Sequence, residues 1–217
     1  MVSEGAGGAP PGPLMTIEDS RRVLRDLQLR GLDGYGTLTP HERARAGRLP
    51  AGRDRRDYVA AHLLVRICAA RLARVPLRSL VIEQHCPECG GRDHGKPSVK
   101  DHSRLRVSLS HTAGTVAAVA GWSAVGIDVE TTAGFSFDRR LAERVLGHAE
   151  AAALYASPDP SQGFLRHWVR KEALVKAGHG SLFGPAAPDT AGARPGTHGN
   201  GPRRTGALSP PWCRSSP

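Results

Sequence analysis

The stretch Val125-Gly126-Ile127-Asp128-Val129-Glu130 alternates apolar and polar residues with a period of two, the pattern of a half-buried strand. That period places Asp128 and Glu130 on one face, roughly 7 Å apart along the strand. Two carboxylates side by side repel and raise each other's pKa. A hard divalent cation such as Mg2+ resolves that conflict. The same pattern also suits a strand end whose acids face water, and the flanking sequence decides between the two.

Upstream, Arg104–Leu109 alternates in the same way, with Leu105, Val107 and Leu109 against Arg104, Arg106 and Ser108. It runs into a polar turn, Ser110-His111-Thr112-Ala113-Gly114, and then into the apolar run Thr115–Trp122. The order strand, turn, strand, turn, strand brings Ser110-His111 and Asp128-Glu130 into one sheet. Downstream, Asp138–Tyr155 is helical with a small break at Gly147, after which Glu150 follows. A last helix starts at Gln162 or Gly163 and is stopped by Gly178. On it Trp168, Glu172 and Lys176 recur every four residues and share a face. Trp168 reads as a core anchor. Glu172 and Lys176 suit either an exposed ion pair or a site.

The first hundred residues supply helices and positive charge. Residues 1–13 are rich in Gly and Pro and read as disordered. Leu14–Arg30 reads as a helix with Val23, Leu24 and Leu27 on one side, ending at Gly31. Thr39–Arg56 opens with a helix start: Thr39 as cap, Pro40 first, and Glu42 three residues after the cap. It carries Arg43, Arg45, Arg48, Arg53, Arg55 and Arg56, a run that equally suits a solvated face or a basic patch. Tyr58–Arg74 reads as the core helix, with Leu64, Ile67, Cys68 and Leu72 as its buried stripe.

The chain has 217 residues, 39% of them hydrophobic, enough for one sizeable domain or two small halves. Lys and Arg number 30 against 20 acids, a net charge of +10 that favours an anionic partner. No apolar run approaches the 18 or so residues of a membrane span, and no signal pattern opens the chain, so a cytoplasmic protein is expected. Cys86-x-x-Cys89, flanked by His85 and His94, invites a zinc reading. There is a single cysteine pair, and His85 is too close for the usual knuckle spacing, so a turn with incidental thiols is favoured. From Ser181 to Pro217 there are 7 prolines and 6 glycines in 37 residues and no alternating pattern, which predicts disorder over 184–217.

Three segments now stand in one order: Ser108–Gly114 (S-L-S-H-T-A-G), Gly126–Glu130 (G-I-D-V-E) and Trp168–Gly180 (W-V-R-K-E-A-L-V-K-A-G-H-G). Together they resemble the 4′-phosphopantetheinyl transferase superfamily, of the broad-specificity type acting on carrier proteins of peptide and polyketide synthases. The resemblance covers roughly residues 38–182. It implies an α+β fold of two pseudo-symmetric α/β halves, residues 14–110 and 111–183. Similar proteins continue with further strands where this chain turns into its Gly/Pro/Arg tail, so the second half is expected to be truncated.

The resemblance also implies the chemistry. A serine hydroxyl of an apo acyl or peptidyl carrier protein attacks the β-phosphorus of coenzyme A in a Mg2+-dependent reaction, releasing 3′,5′-ADP. Asp128, Glu130 and Glu172 match the metal-binding acids. Glu150 matches a carboxylate proposed as general base in some members, and Lys176 a lysine that contacts the phosphates. Ser110, His111 and Lys96 match contacts to coenzyme A. Arg45 and Arg56 are the arginines chosen for its nucleotide phosphates, with Arg53 and Arg55 as alternatives to Arg56. The expected protein is a monomer with no nucleic-acid or membrane partner. Two rivals remain at this point: a truncated homologue that binds coenzyme A or carrier protein without turnover, and a basic nucleic-acid-binding module. The latter leaves the three acids unexplained and has few aromatics for base stacking.

Overall fold

The computed structural model describes residues 11–86, 89–92 and 95–183. Five antiparallel strands form one sheet in the order β1-β5-β4-β3-β2. They are β1 (Leu14–Asp19), β2 (Ile82–His85), β3 (Lys96–Val99), β4 (Arg106–Thr112) and β5 (Thr115–Gly121). With the helices described below, the architecture is α+β, as expected. The tail beyond 183 lies outside the described residues, as do residues 1–10. No described helix is long and apolar enough to cross a membrane.

The beginning of the expected first helix is instead β1. Leu14, Thr16 and Glu18 turn inward while Met15 and Ile17 face out, and the strand pairs antiparallel with β5 from Leu14↔Ala120 to Asp19↔Thr115. Asp19 then caps α1 (Ser20–Leu29) by accepting from the N–H groups of Arg21 and Arg22, so the helix starts six residues late. It ends where expected, with Gly31 at positive φ.

A short helix, α2 (Gly34–Thr37), precedes α3 (Pro40–Arg48), which has the full Thr39/Glu42 capping box. Within the stretch Thr39–Arg56 the helix breaks at Leu49-Pro50-Ala51-Gly52, where Gly52 has a φ of 121°. The core helix α4 (Arg53–Ala73) starts there. It is buried on almost every side: it lies across one face of the sheet with α1–α3 against its back, so its apolar surface is wider than one stripe.

Alternation on β5 separates two cores. Val116, Ala118 and Ala120 join α4 in the main core, while Ala117 and Val119 face the other way and pack on Ile127, Val125 and Val129. A further apolar cluster around Phe164 and Trp168 unites α5 (Arg139–Val145), α6 (His148–Tyr155) and α7 (Pro160–Ala177). Trp168 is the anchor the sequence implied. Gly147 separates α5 from α6, and Gly178 ends α7 in the left-handed conformation, both as expected. The start of α7 lies earlier because Asp159 caps it with Pro160 in its first turn.

Two strand assignments are corrected. Ser110 and His111 belong to β4, and the turn is confined to Ala113 (φ 23°) and Gly114 (φ 91°). The 110/111 boundary between the expected halves therefore falls inside a strand. The stretch 125–130 joins no ladder, because both edges of β5 are already taken by β1 and β4. It crosses the sheet face instead.

Buried polar groups tie these parts together. Asp57 at the start of α4 accepts from Ser20 Oγ (2.6 Å) and from the N–H of Gly114 (2.7 Å), stapling the β4–β5 turn to α1. Beneath α3, Glu42 accepts a forked pair of bonds from Arg66 (2.9 and 2.6 Å) and lies 2.7 Å from His62 Nδ1. Burial pushes the Glu42 carboxyl up, but the bonds and charges of His62 and Arg66 outweigh it and hold the pKa at about 2. With the folded value depressed from 4.5, Glu42 stabilises the fold above pH 4.5 and loses that contribution as pH falls through about 2, on the order of 3 kcal/mol. Urea unfolding between about pH 5 and pH 2 measures it: the wild type should lose more stability over that interval than Glu42→Gln.

Candidate active site

The stretch 125–130 is held against β4 by a row of hydroxyls. Ser108, Ser110 and Thr112 alternate along the strand and so share a face. The N–H of Ile127 donates to Ser108 Oγ (3.2 Å), Ser110 Oγ donates to Asp128 Oδ1 (2.7 Å), and Thr112 Oγ1 donates to Glu130 Oε2 (3.4 Å). Between these contacts Ile127 and Val129 turn onto β5. Asp128 and Glu130 thus share a side without belonging to the sheet ladder.

Helix α7 closes the site from above. Lys176 Nζ lies 2.6 Å from Asp128 Oδ1 and 3.4 Å from Ser110 Oγ. The alternative of an exposed Glu172–Lys176 pair therefore gives way to a half-buried contact between Lys176 and Asp128. Gly126 permits the approach: a Cβ there would overlap the carbonyl oxygen of Ala173 and come within 2.7 Å of the Ala177 nitrogen. Lack of a side chain is what this position requires.

The electrostatics bear the mark of crowded acids. Burial, then the charge of Asp128, pushes the Glu130 carboxyl up to about 8; Glu172 adds to this, while Thr112 and Lys176 oppose it. Burial also raises the Glu172 carboxyl, with Asp128 adding and Lys176 opposing. The three acids therefore lie within one another's fields. Asp128 Oδ2 is buried with no hydrogen-bond partner. Among the described residues, no three His, Cys, Asp or Glu side chains are close enough as placed to grip an ion. On the Asp128 side, the neighbouring positive charge is the Lys176 ammonium.

The other expected residues are more scattered. Ser110 is in the acidic cluster, whereas His111, next in the strand, turns to the α4 side and meets Tyr58 edge-on, ring centroids 6.3 Å apart. Lys96 opens β3 and sits beside Gly178, at the C-terminus of α7. Arg56 donates through Nε to Ser20 Oγ (3.0 Å) and lies 3.5 Å from Asp57. Arg45 is exposed in the last turn of α3, and Arg53 is exposed at the start of α4. Arg55 is bound to the carbonyls of Leu49 and Gly47 at the end of α3, a structural duty. Glu150 is buried between α6 and α7, with Oε2 2.8 Å from Lys171 Nζ and accepting from the N–H of Gly147. His94 lies outside the described residues; Cys86 is buried and Cys89 exposed.

Sequence reasoning passed over Ser108, Thr112 and Lys171. The first two were accessible, since S-x-S-x-T puts three hydroxyls on one face of a strand. Nothing local marks Lys171, whose burial depends on a partner 21 positions earlier.

The model of the 4′-phosphopantetheinyl transferase superfamily matches residues 124–197. Two curated proteins, both named 4′-phosphopantetheinyl transferase AcpT, come from Salmonella typhimurium and Salmonella typhi. Each is 34% identical over 100 residues, which is 45% of this chain and 52% of the relative. The chain thus spans about half the length of the curated relatives it matches. Among solved structures, the holo-acyl-carrier-protein synthase of Neisseria meningitidis superposes with a TM-score of 0.36 and 23% identity, covering 50% of this chain and 94% of that one. The corresponding synthase of Helicobacter pylori, solved with coenzyme A, gives 0.34 and 14%, covering 50% and 97%.

The packing of Gly126 against α7 is open to a direct test. Gly126→Ala should cost roughly 1–3 kcal/mol or more in urea unfolding, because backbone atoms must move. Gly47→Ala, in α3 with open space around it, should instead raise stability by about 0.5–1 kcal/mol.

Proposed function

We propose that the chain, matched by the 4′-phosphopantetheinyl transferase superfamily over residues 124–197, belongs to that superfamily and moves phosphopantetheine from coenzyme A to a serine of an apo carrier protein. The observation that carries this reading is the buried Asp128 carboxylate: one oxygen is held by Ser110 and Lys176 and the other has no partner, beside a second acid pushed up to about 8. An all-oxygen donor set with an orphaned oxygen suits a hard cation. Asp128, Glu130 and Glu172 would hold Mg2+, which when bound would offset the charge of a diphosphate.

In this reading the serine oxygen forms a bond to the β-phosphorus, the bond to the bridging oxygen breaks, and 3′,5′-ADP departs. The hydroxyl proton needs an acceptor that substrate can reach. Glu150, held by Lys171 and the Gly147 N–H at 4% exposure, is out of its reach, so in this reading a water takes the proton. Lys176 carries a fixed positive charge toward the charge that develops on the departing phosphate. Ser110 and Thr112 hold the acids in register. Arg45, Arg56, Lys96 and His111 are assigned to the nucleotide end of coenzyme A on the motif match alone. The surplus of +10 favours an acidic partner, which fits carrier proteins of peptide or polyketide synthases.

The test is carrier loading followed by mass spectrometry with apo carrier protein, coenzyme A and Mg2+. A gain of one phosphopantetheine is expected. Binding without that gain would favour the inactive-homologue reading. Asp128→Ala and Glu172→Ala should each lower turnover by about a hundredfold or more while the fold persists. Loading should also slow as salt is raised, through weaker encounter with the carrier.

A further inference from the structure

Helix α7 meets its surroundings along three lines. One carries Phe164 and Trp168 into the apolar cluster. A second presents Glu172, Ala173, Lys176 and Ala177 to the acidic stretch. The third carries His167 and Lys171 toward α6, and here the most buried charges of this half meet. Lys171 is 1% exposed and Glu150 4%, with Nζ and Oε2 2.8 Å apart and His167 Nδ1 3.6 Å from the other oxygen. Glu150 is itself fixed by the N–H of Gly147. Gly163 lets the helices close, since a Cβ there would come within 2.6 Å of Leu154 Cδ1.

An apolar cluster resists separation but tolerates rotation, because dispersion is nearly non-directional. A short buried ion pair is directional, and the hydrogen bond at Gly147 gives it a fixed origin on α6. Lys171 and Glu172 are neighbours on α7, about 100° apart around its axis. A slip of about 20° at a radius of roughly 6 Å would move the tip of Glu172 or Lys176 by about 2 Å. That is more than the ~1 Å misplacement that can cost about a hundredfold in rate.

We propose that Glu150 and Lys171 form a positioning pair that sets the rotation of α7, so that Glu150 acts on the reaction through Lys171 and takes no proton from substrate. This rests on the transferase reading above and reassigns the carboxylate that the family resemblance offered as a base.

The test compares Glu150→Gln, Lys171→Met and the double variant in the loading assay. Each single variant leaves one buried group without its charge partner and should lose activity, through misplacement or unfolding. The double variant keeps an acceptor for the Gly147 N–H and replaces the lysine stem with a side chain of similar length. It should recover turnover to within about threefold of wild type, since buried pairs are often replaceable together. A folded double variant still about a hundredfold or more below wild type would overturn the proposal, as a missing proton acceptor would have that effect.

A second readout needs no turnover. The ammonium nitrogen resonance of Lys176, which senses Asp128, should shift in Lys171→Met and return in the double variant. Failure to return would overturn the positioning role. Its return in a protein that loads no carrier would instead count against the transferase reading alone.

Discussion

The close contact of a side-chain-free backbone with a helix is the constraint on which the site depends. At Gly126 the stretch before the acids passes so near α7 that a Cβ there would run into the backbone of Ala173 and Ala177. Only at that separation does Lys176 reach Asp128 and Glu172 enter the field of Glu130. The hydroxyls of β4 complete the arrangement from below, so the acids are clamped between a strand and a helix. A motif that reads as chemistry, G-I-D-V-E, is half packing: Gly for approach, Ile and Val for the second sheet face, and the acids for what remains.

That division explains why the acids tolerate one another. Neither relaxes into water: the Asp128 side chain is 5% exposed, and burial with the Asp128 charge pushes Glu130 well above its ordinary range. Such an arrangement is costly unless a cation relieves it, and Lys176 relieves only part. The opposing case is Glu42, an acid buried as deeply but fully satisfied by Arg66, His62 and a capping N–H. Glu130 and Glu42, with opposite pKa shifts in one small protein, separate an acid crowded by like charge from one satisfied by its partners.

Much of this was legible in the chain. Caps and stops at Thr39, Gly147 and Gly178, the anchor role of Trp168 and the shared side of Asp128 and Glu130 all follow from local rules of period and capping. What was not legible depends on distant partners. Residues 14–19 look helical until β5 offers an edge, and Val125–Glu130 looks like a strand until both edges of β5 are taken. Lys171 and Arg66 look like surface charges on their helices, and their burial follows from Glu150 and Glu42 arriving from other elements. Period reports which side of an element is apolar. It is silent on which neighbour covers that side.

The order of the sheet has a consequence for how the chain assembles. Among the described strands β1 is made before the others, yet its neighbour in the sheet is β5, about a hundred residues later. Closing so long a loop is entropically slow, and the staple from Asp57 to Gly114 waits on the same event. Through most of synthesis, Met15 and Ile17 belong to a strand without a ladder, open to mispairing with other nascent chains. Of the described strands, the one made earliest is among the last to find its place.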